Sequence, residues 1–278
     1  MLETHHSQHE TEDAISSRWE SYRRANTESP GARENELSEI FKLLNPQHGE
    51  KVWEYGTGNR YLTFPLAQAV GSIGEVISTD VNEGNTEEVK GKAAERSLPI
   101  KTILLAQENP FLPPEYQDYF DAVTSIATLH HLDNRDQQTG MTGRLEGLKK
   151  FYASLKRGGR LVIADPVYGT ATQRYFDSID DPEYCYPTGH PHDFPTQDEI
   201  LTLITKAGFT PQSLEVKTVP WRFPDIEAAK KFVHTIHHAR AGADQSLVMA
   251  EKILGLTKVG DHYELGWQLF FLKAVRDY

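Results

Sequence analysis

One stretch constrains this chain more than any other, KVWEYGTGNRY at 51–61. A short apolar run, Val52-Trp53, ends in an acid, Glu54, and two glycines follow at alternate positions, Gly56 and Gly58. A helix-like run, Tyr61 to Val70, comes next. That order predicts a buried strand, a tight glycine turn and a helix N-terminus, a usual place for a nucleotide-like ligand. Gly56 and Gly58 let the backbone approach such a ligand in conformations closed to other residues.

The rest of the chain reads as the sheet that this unit starts. Short apolar runs recur at 51–55, 75–79, 101–105, 120–126 and 159–164, and helical segments at 61–70, 83–96 and 142–155 separate most of them. Such alternation predicts an α/β fold, a parallel sheet with helices on both faces and right-handed crossovers. After 166 the rhythm changes to an aromatic, Pro-rich stretch from Tyr168 to Pro195. A helix at 196–206, stopped by Gly208, a strand near 210–219 and helices near 225–240 and 244–254 follow. A last strand is expected within YELGWQLFFLKAV (263–275), and with no helix after it this strand can pair antiparallel.

Upstream of the sheet, residues 1–14 are polar and acidic without a periodic apolar pattern and predict a disordered tail. Ile15, Trp19 and Tyr22 then fall at helical spacing, Ser29-Pro30-Gly31 breaks the pattern, and Leu37, Ile40, Phe41 and Leu44 mark a second helix. The expected organisation is a tail (1–14), an N-terminal helical cap (15–46) across the edge or mouth of the core, and one domain (47–278). That domain would carry a lid at 168–195 and a helical insert at 222–262.

Charge and composition narrow the partners. The net charge of -11 and the lack of a basic cluster make a poor nucleic-acid binder and point to a small molecule. No apolar run approaches the ~18 residues of a membrane span, and no apolar signal-peptide core is seen. A single cysteine, Cys185, rules out an internal disulfide and makes a reducing cytoplasm the expectation. Exposed edge helices make a homodimer plausible. No metal is expected: His5, His6 and His9 lie in the polar tail, and the spacing of Cys185, His190 and His192 matches no standard zinc pattern. His234, His237 and His238 fall on an expected helix and read as an exposed face or a pocket wall.

The second strand sharpens the ligand. EVISTDVNEGN (75–85) places Asp80 just past its C-terminal end, 24 residues after Gly56. Neighbouring carboxyl ends of a parallel sheet meet at one rim, where a carboxylate can accept hydrogen bonds from both hydroxyls of a ribose. Asp80 could instead cap a helix. A dinucleotide fingerprint needs a third glycine at position 61, where Tyr61 would obstruct a pyrophosphate. A cofactor without phosphates tolerates the acid Glu54, which can pair with an ammonium group. Adenosine plus an amino-acid ammonium describes S-adenosylmethionine.

The chain resembles the class I S-adenosylmethionine-dependent methyltransferases, most closely the small-molecule group with the ubiquinone/menaquinone-type enzymes. The resemblance covers roughly 47–210 and rests on EYGTG (54–58), ISTD (77–80), FDAVTSIATLHHL (120–132), LKRGGRLVIADP (155–166) and FPTQDEILTLITKAGF (194–209), in that order. It implies a Rossmann-like seven-stranded sheet whose last strand is antiparallel. It implies that the 54–58 turn lies under the methionine part, that Asp80 binds the ribose, and that the Gln107-Glu108-Asn109 segment lies against the adenine. The implied cofactor set is Glu54, Gly56, Thr57, Gly58, Asp80, Val81, Gln107, Glu108 and Ser125. One departure is Arg60, where the family often has glycine; a cation beside a sulfonium is unexpected, so Arg60 points outward, or binds the cofactor carboxylate or an acidic substrate.

Methyl transfer from a sulfonium is an in-line displacement in which the protein aligns the nucleophile and removes its proton. His130 and His131, after the fourth strand, stand where such a base is needed, and imidazole ordinarily titrates near neutrality. The resemblance favours His130, because small-molecule O-methyltransferases carry a catalytic His in a comparable Leu-His context. The alternative is that both merely line the pocket or cap a turn. Tyr168, Tyr186, His190 and His192 could wall off water and stack on a planar acceptor, and Tyr22, with Trp19, could fold over the cofactor. The expected reaction is methylation of a small aromatic or hydrophobic acceptor at oxygen, nitrogen or carbon. The alternatives are a non-methylating cyclisation or rearrangement on the same fold, and a non-catalytic module that binds a metabolite or protein.

Overall fold

The computed structural model describes residues 12–58, 60–107, 109–132, 142–181, 184 and 193–277, with only the backbone at 12–19 and 142. Its helices are α1 (Glu12–Glu28), α2 (Glu34–Leu44), α3 (Thr63–Val70), α4 (Glu83–Glu95), α5 (Thr142–Ser154), α6 (Ala171–Ile179), α7 (Gln197–Lys206), α8 (Ile226–Ile236) and α9 (Ala243–Leu254). Its strands are β1 (Lys51–Tyr55), β2 (Glu75–Asp80), β3 (Ile100–Leu104), β4 (Phe120–Ile126), β5 (Leu155–Asp165), β6 (Thr210–Thr218), β7 (Trp221–Phe223), β8 (Leu256–Val259), β9 (His262–Leu265) and β10 (Gln268–Val275). The chain divides into two compact units, one of 33–173, 192–220 and 267–278, the other of 1–32, 174–191 and 221–266.

The larger unit is the α/β body. Its seven-stranded sheet has the order β3-β2-β1-β4-β5-β10-β6, parallel except that β10 runs antiparallel to both β5 and β6. The apolar runs of β1, β2 and β4 are continuous because helices cover both faces, whereas the edge strand β3 has no fully buried residue. Trp53 and Tyr55 point to one face, where their rings each lie 5.1 Å from that of Phe151 on α5. On the other face Glu54 pairs in register with Ser78 of β2 and Thr124 of β4. Strand order reverses between β2-β1 and β4-β5, so the carboxyl rim at β1 and β4 is the switch point, the place where open α/β sheets take a ligand in a crevice.

The smaller unit holds a three-stranded sheet, β7-β9-β8, with α8 and α9 against it and α1 packed on α8. Of the two N-terminal helices, α1 belongs to this unit, and α2 belongs to the larger one, where it packs on β5 and β10. The last apolar run is two strands rather than one. It breaks at Gly266-Trp267, where Gly266 N–H donates to the Gly255 carbonyl at 2.9 Å and a Cβ on Gly266 would meet the Leu254 carbonyl oxygen at 2.2 Å. The short strands β7 and β8 carry no strong period of their own, whereas α6, which occupies part of the stretch expected as a lid, is amphipathic and buries Tyr175, Phe176 and Ile179.

Candidate functional site

The glycine turn is held from below by hydroxyls. Gly56 and Thr57 donate their N–H groups to the Thr79 carbonyl at 2.9 and 3.0 Å, which ties the turn to β2. The Thr57 and Ser78 hydroxyls are bonded to each other, and Ser78 (2.6 Å) and Thr63 (2.7 Å) both donate to Oε2 of Glu54. Glu54 is buried, and burial, with the nearby Asp80 charge adding to it against the pull of the two hydroxyls, lifts its carboxyl to about 7. Gly56 has φ 86°, and a Cβ there would stand 2.3 Å from the Thr128 hydroxyl; Gly58 has φ 49° and open space above its Cα.

Asp80, at the end of β2, joins the turn to the next loop. Its Oδ2 accepts from Gly58 N–H at 2.9 Å and Asn85 Nδ2 at 3.1 Å, and its Oδ1 from Asn82 N–H at 2.8 Å. It does not cap α4; Asn82 does. Val81 follows, partly exposed, and Gln107 is exposed in the turn after β3, while Glu108 lies outside the described residues. Ser125, opposite Tyr55 in register, is fully buried, and its hydroxyl has no hydrogen-bond partner among the described residues.

Arg60 and Tyr61 leave the turn in two directions. Arg60 takes φ 67°, a conformation that suits glycine, the residue that the resemblance implies here. Its guanidinium pairs with Glu88 of α4, which also holds Lys92 at 2.7 Å, so the unexpected cation is turned to an acid of a neighbouring helix. The Tyr61 hydroxyl reaches Glu36 of α2 at 2.7 Å.

Across the crevice, one residue that the sequence reading passed over organises the loop after β4. Asp165 ends β5 with no exposed surface. Its Oδ2 accepts from the N–H groups of Thr128 (3.0 Å), Leu129 (2.7 Å) and His130 (3.4 Å), and its Oδ1 lies 2.5 Å from Nδ1 of His130. An ionised Asp165 draws the imidazole proton to Nδ1 and leaves the lone pair on Nε2. His130 is buried beneath the edge of Phe194, ring centroids 5.3 Å apart, and His131 is exposed with its ring centroid 4.0 Å from that of His130. Arg144 of α5 is buried and bonded to the Asp193 carbonyl, which fixes the segment carrying Phe194. The available signal was a lone acid closing a buried apolar run, LVIAD, the same pattern that ISTD shows at Asp80.

Tyr168 is 63% exposed, and Tyr186, His190 and His192, with Cys185, lie outside the described residues. Tyr22 sits on α1 in the smaller unit, and of Trp19 only the backbone is described. Tyr175 and Phe176 are buried with their rings against His237, and burial holds that imidazole neutral, down to about 3. His237 is thus a core residue rather than an exposed face, and His238 Nδ1 is 2.8 Å from the Ser21 hydroxyl. Among the described residues no cluster of three metal ligands converges, and no helix is long and apolar enough to cross a membrane.

A mixed sheet of this order, a glycine turn tied to an acid on the second strand, and a crevice at the switch point together define a nucleoside-cofactor enzyme of the methyltransferase type. Residues 29–214 match the family described as a methyltransferase domain, and the chain belongs to that family, within the class I S-adenosylmethionine-dependent methyltransferases. It is 25% identical over 201 residues to a demethylmenaquinone methyltransferase of Geobacillus sp. (strain WCH70), covering 65% of this chain and 78% of that protein. It is 30% identical over 134 residues to the aklanonic acid methyltransferase DauC of Streptomyces sp. (strain C5), covering 48% and 56%. The chain thus spans little more than half the length of the second relative. A SAM dependent methyltransferase from Aquifex aeolicus shares the fold, with a TM-score of 0.52 at 14% identity over 91% of this chain and 97% of that one.

Proposed function

We propose that this methyltransferase acts in the cytoplasm on a small, aromatic or hydrophobic acceptor, at oxygen, nitrogen or carbon, with His130 as general base. The observation that carries the reading is the buried His130–Asp165 pair, 2.5 Å apart, at the rim facing the glycine turn. A neutral imidazole with its Nδ1 proton committed to a carboxylate can accept a proton only at Nε2. Asp165 stabilises the imidazolium that results and holds the ring in place.

The residues at the turn fit S-adenosylmethionine, which supplies an activated methyl group when bound. Asp80 is a carboxylate already aligned by three donors, with acceptor capacity left for a ribose hydroxyl. Ser125 offers a buried hydroxyl to the methionine end, and the space above Gly58 admits a ligand against the backbone. Glu54 acts through the turn it braces. Its buried charge favours a cation nearby, and so does that of Asp80.

Isothermal titration with S-adenosylmethionine, followed by turnover assays, tests this reading. Demethylmenaquinone and aklanonic acid, named in two relatives, are the first acceptors to try. His130→Ala is expected to lower the methylation rate by roughly 100-fold or more with cofactor affinity unchanged. Full activity in that variant would remove His130 as the base, and no cofactor binding at millimolar concentration would sink the site assignment.

A further inference from the structure

Tyr61 closes the glycine turn, and residues outside the motif grip it twice. Its hydroxyl donates to Oε1 of Glu36, and the Arg33 guanidinium lies 4.1 Å from its ring centroid. Glu36 is fully buried in α2, and its carboxylate also accepts from Arg33 Nε (Oε2, 2.9 Å) and Arg33 Nη2 (Oε1, 2.5 Å). A buried carboxylate shared by a two-pronged guanidinium and a phenol is directional, and losing one partner leaves another buried polar group exposed to the deficit.

The turn has reason to need an outside grip. Gly56, Gly58 and Arg60 all take positive φ, and Arg60 has a Cβ to accommodate. Such a backbone persists only where its surroundings over-determine it. The hydroxyl chain through Thr57, Ser78, Glu54 and Thr63 holds it from below, and the Arg60–Glu88 pair holds it on the α4 side. Glu36 and Arg33 hold it from α2, 25 residues away in sequence from Tyr61 in the case of Glu36.

We infer that Tyr61, Glu36 and Arg33 are positioning residues for the cofactor. They keep the turn in its binding shape before the cofactor arrives, so that binding does not have to order it. The inference rests on the turn being the S-adenosylmethionine site.

Calorimetric titration with S-adenosylmethionine and steady-state kinetics test it. Tyr61→Phe keeps the ring and its cation contact and deletes only the hydroxyl. It is expected to raise the cofactor Kd about five- to ten-fold, while kcat at saturating cofactor and the acceptor KM stay within about two-fold. Glu36→Gln, which removes the charge facing Arg33, should raise Kd further; if it fails to fold, Tyr61→Phe alone decides. An unchanged Kd in Tyr61→Phe, while Asp80→Ala loses affinity, overturns the brace and leaves the site standing. An unchanged Kd in both places the cofactor elsewhere and overturns both readings. A fall in kcat with Kd unchanged also overturns the brace, because it moves the effect from cofactor binding to the chemical step.

Discussion

At the carboxyl end of β1 the chain ties its turn to several elements, and at the end of β4 the described turn is tied chiefly to one strand, β5. The first turn is tied to β2 through the Thr79 carbonyl, to Glu54 through a run of hydroxyls, and to α2 and α4 through Tyr61 and Arg60. The second turn is tied to β5 by the Ala127 N–H, which donates to the Ala164 carbonyl at 2.8 Å, and by the two oxygens of Asp165, which gather three backbone N–H groups and an imidazole from residues 35 to 37 positions away. Redundant support softens the loss of any one contact. Concentrated support does not, so the two sides of the crevice should answer mutation differently: the cofactor side by graded losses of affinity, the base side by an abrupt loss of rate.

The sharpest way to break that contrast is Asp165→Asn. The amide still offers an oxygen to the backbone N–H groups, but its NH2 face no longer selects the Nδ1 tautomer of His130. The rate of methylation is expected to fall about 100-fold, equivalent to ~2.7 kcal/mol of transition-state stabilisation, and the pH–rate profile should shift, with the S-adenosylmethionine Kd within about three-fold of the parent. A variant that instead loses cofactor affinity with its rate intact would show that Asp165 supports the turn after β1, and the division between the two sides would fail.

Gly56→Ala tests a point where the two sides touch. Its Cβ would stand 2.3 Å from the Thr128 hydroxyl and 2.8 Å from the Thr128 methyl. Thr128 cannot give way cheaply, because its N–H is bonded to Asp165 and its hydroxyl to the Ile126 carbonyl at 2.8 Å. The backbone φ of 86° adds strain of its own. A loss of about 2 kcal/mol is expected, read as a fall in Tm of roughly 4–8 °C, with both cofactor affinity and rate impaired. Unchanged melting would mean that the loops after β1 and β4 move apart freely.

The same contrast explains what could be read from the chain. The β1 turn is contiguous, and strand, acid, glycines and helix follow one another within KVWEYGTGNRY. Asp80 came within reach because β2 pairs directly with β1 in a parallel unit. The role of Asp165 depends on β5 lying beside β4 and on the loop at 127–130 folding back over it, which no local pattern encodes. Arg60 was illegible for a similar reason: its partner Glu88 is one of several acids on α4, half-buried, and only the packing of α4 beside the turn selects it. The smaller unit was hardest, because it is assembled from three separate stretches of chain, and its short strands β7, β8 and β9 are no longer than a loop.

The smallest expected effect concerns Glu54, where the redundancy of the cofactor side can be measured as a pH slope. Its carboxyl is raised from the usual 4.5 to about 7, chiefly by burial. The folded state therefore holds a proton that the unfolded state has already released, and stability falls as pH rises from about 4.5 through 7, then levels off. The full shift is worth a few kcal/mol at most, and relaxation around the turn leaves an expected difference of about 1 kcal/mol. Glu54→Gln keeps an oxygen for the Ser78 and Thr63 hydroxyls and removes the charge. Relative to the parent, it should gain stability in urea unfolding at pH 8 and little at pH 5. Bound S-adenosylmethionine, a cation, should shrink that gain by favouring the ionised carboxylate in the parent. A gain independent of pH would mean that Glu54 is ionised throughout, with the hydroxyls beneath the turn enough to hold its charge.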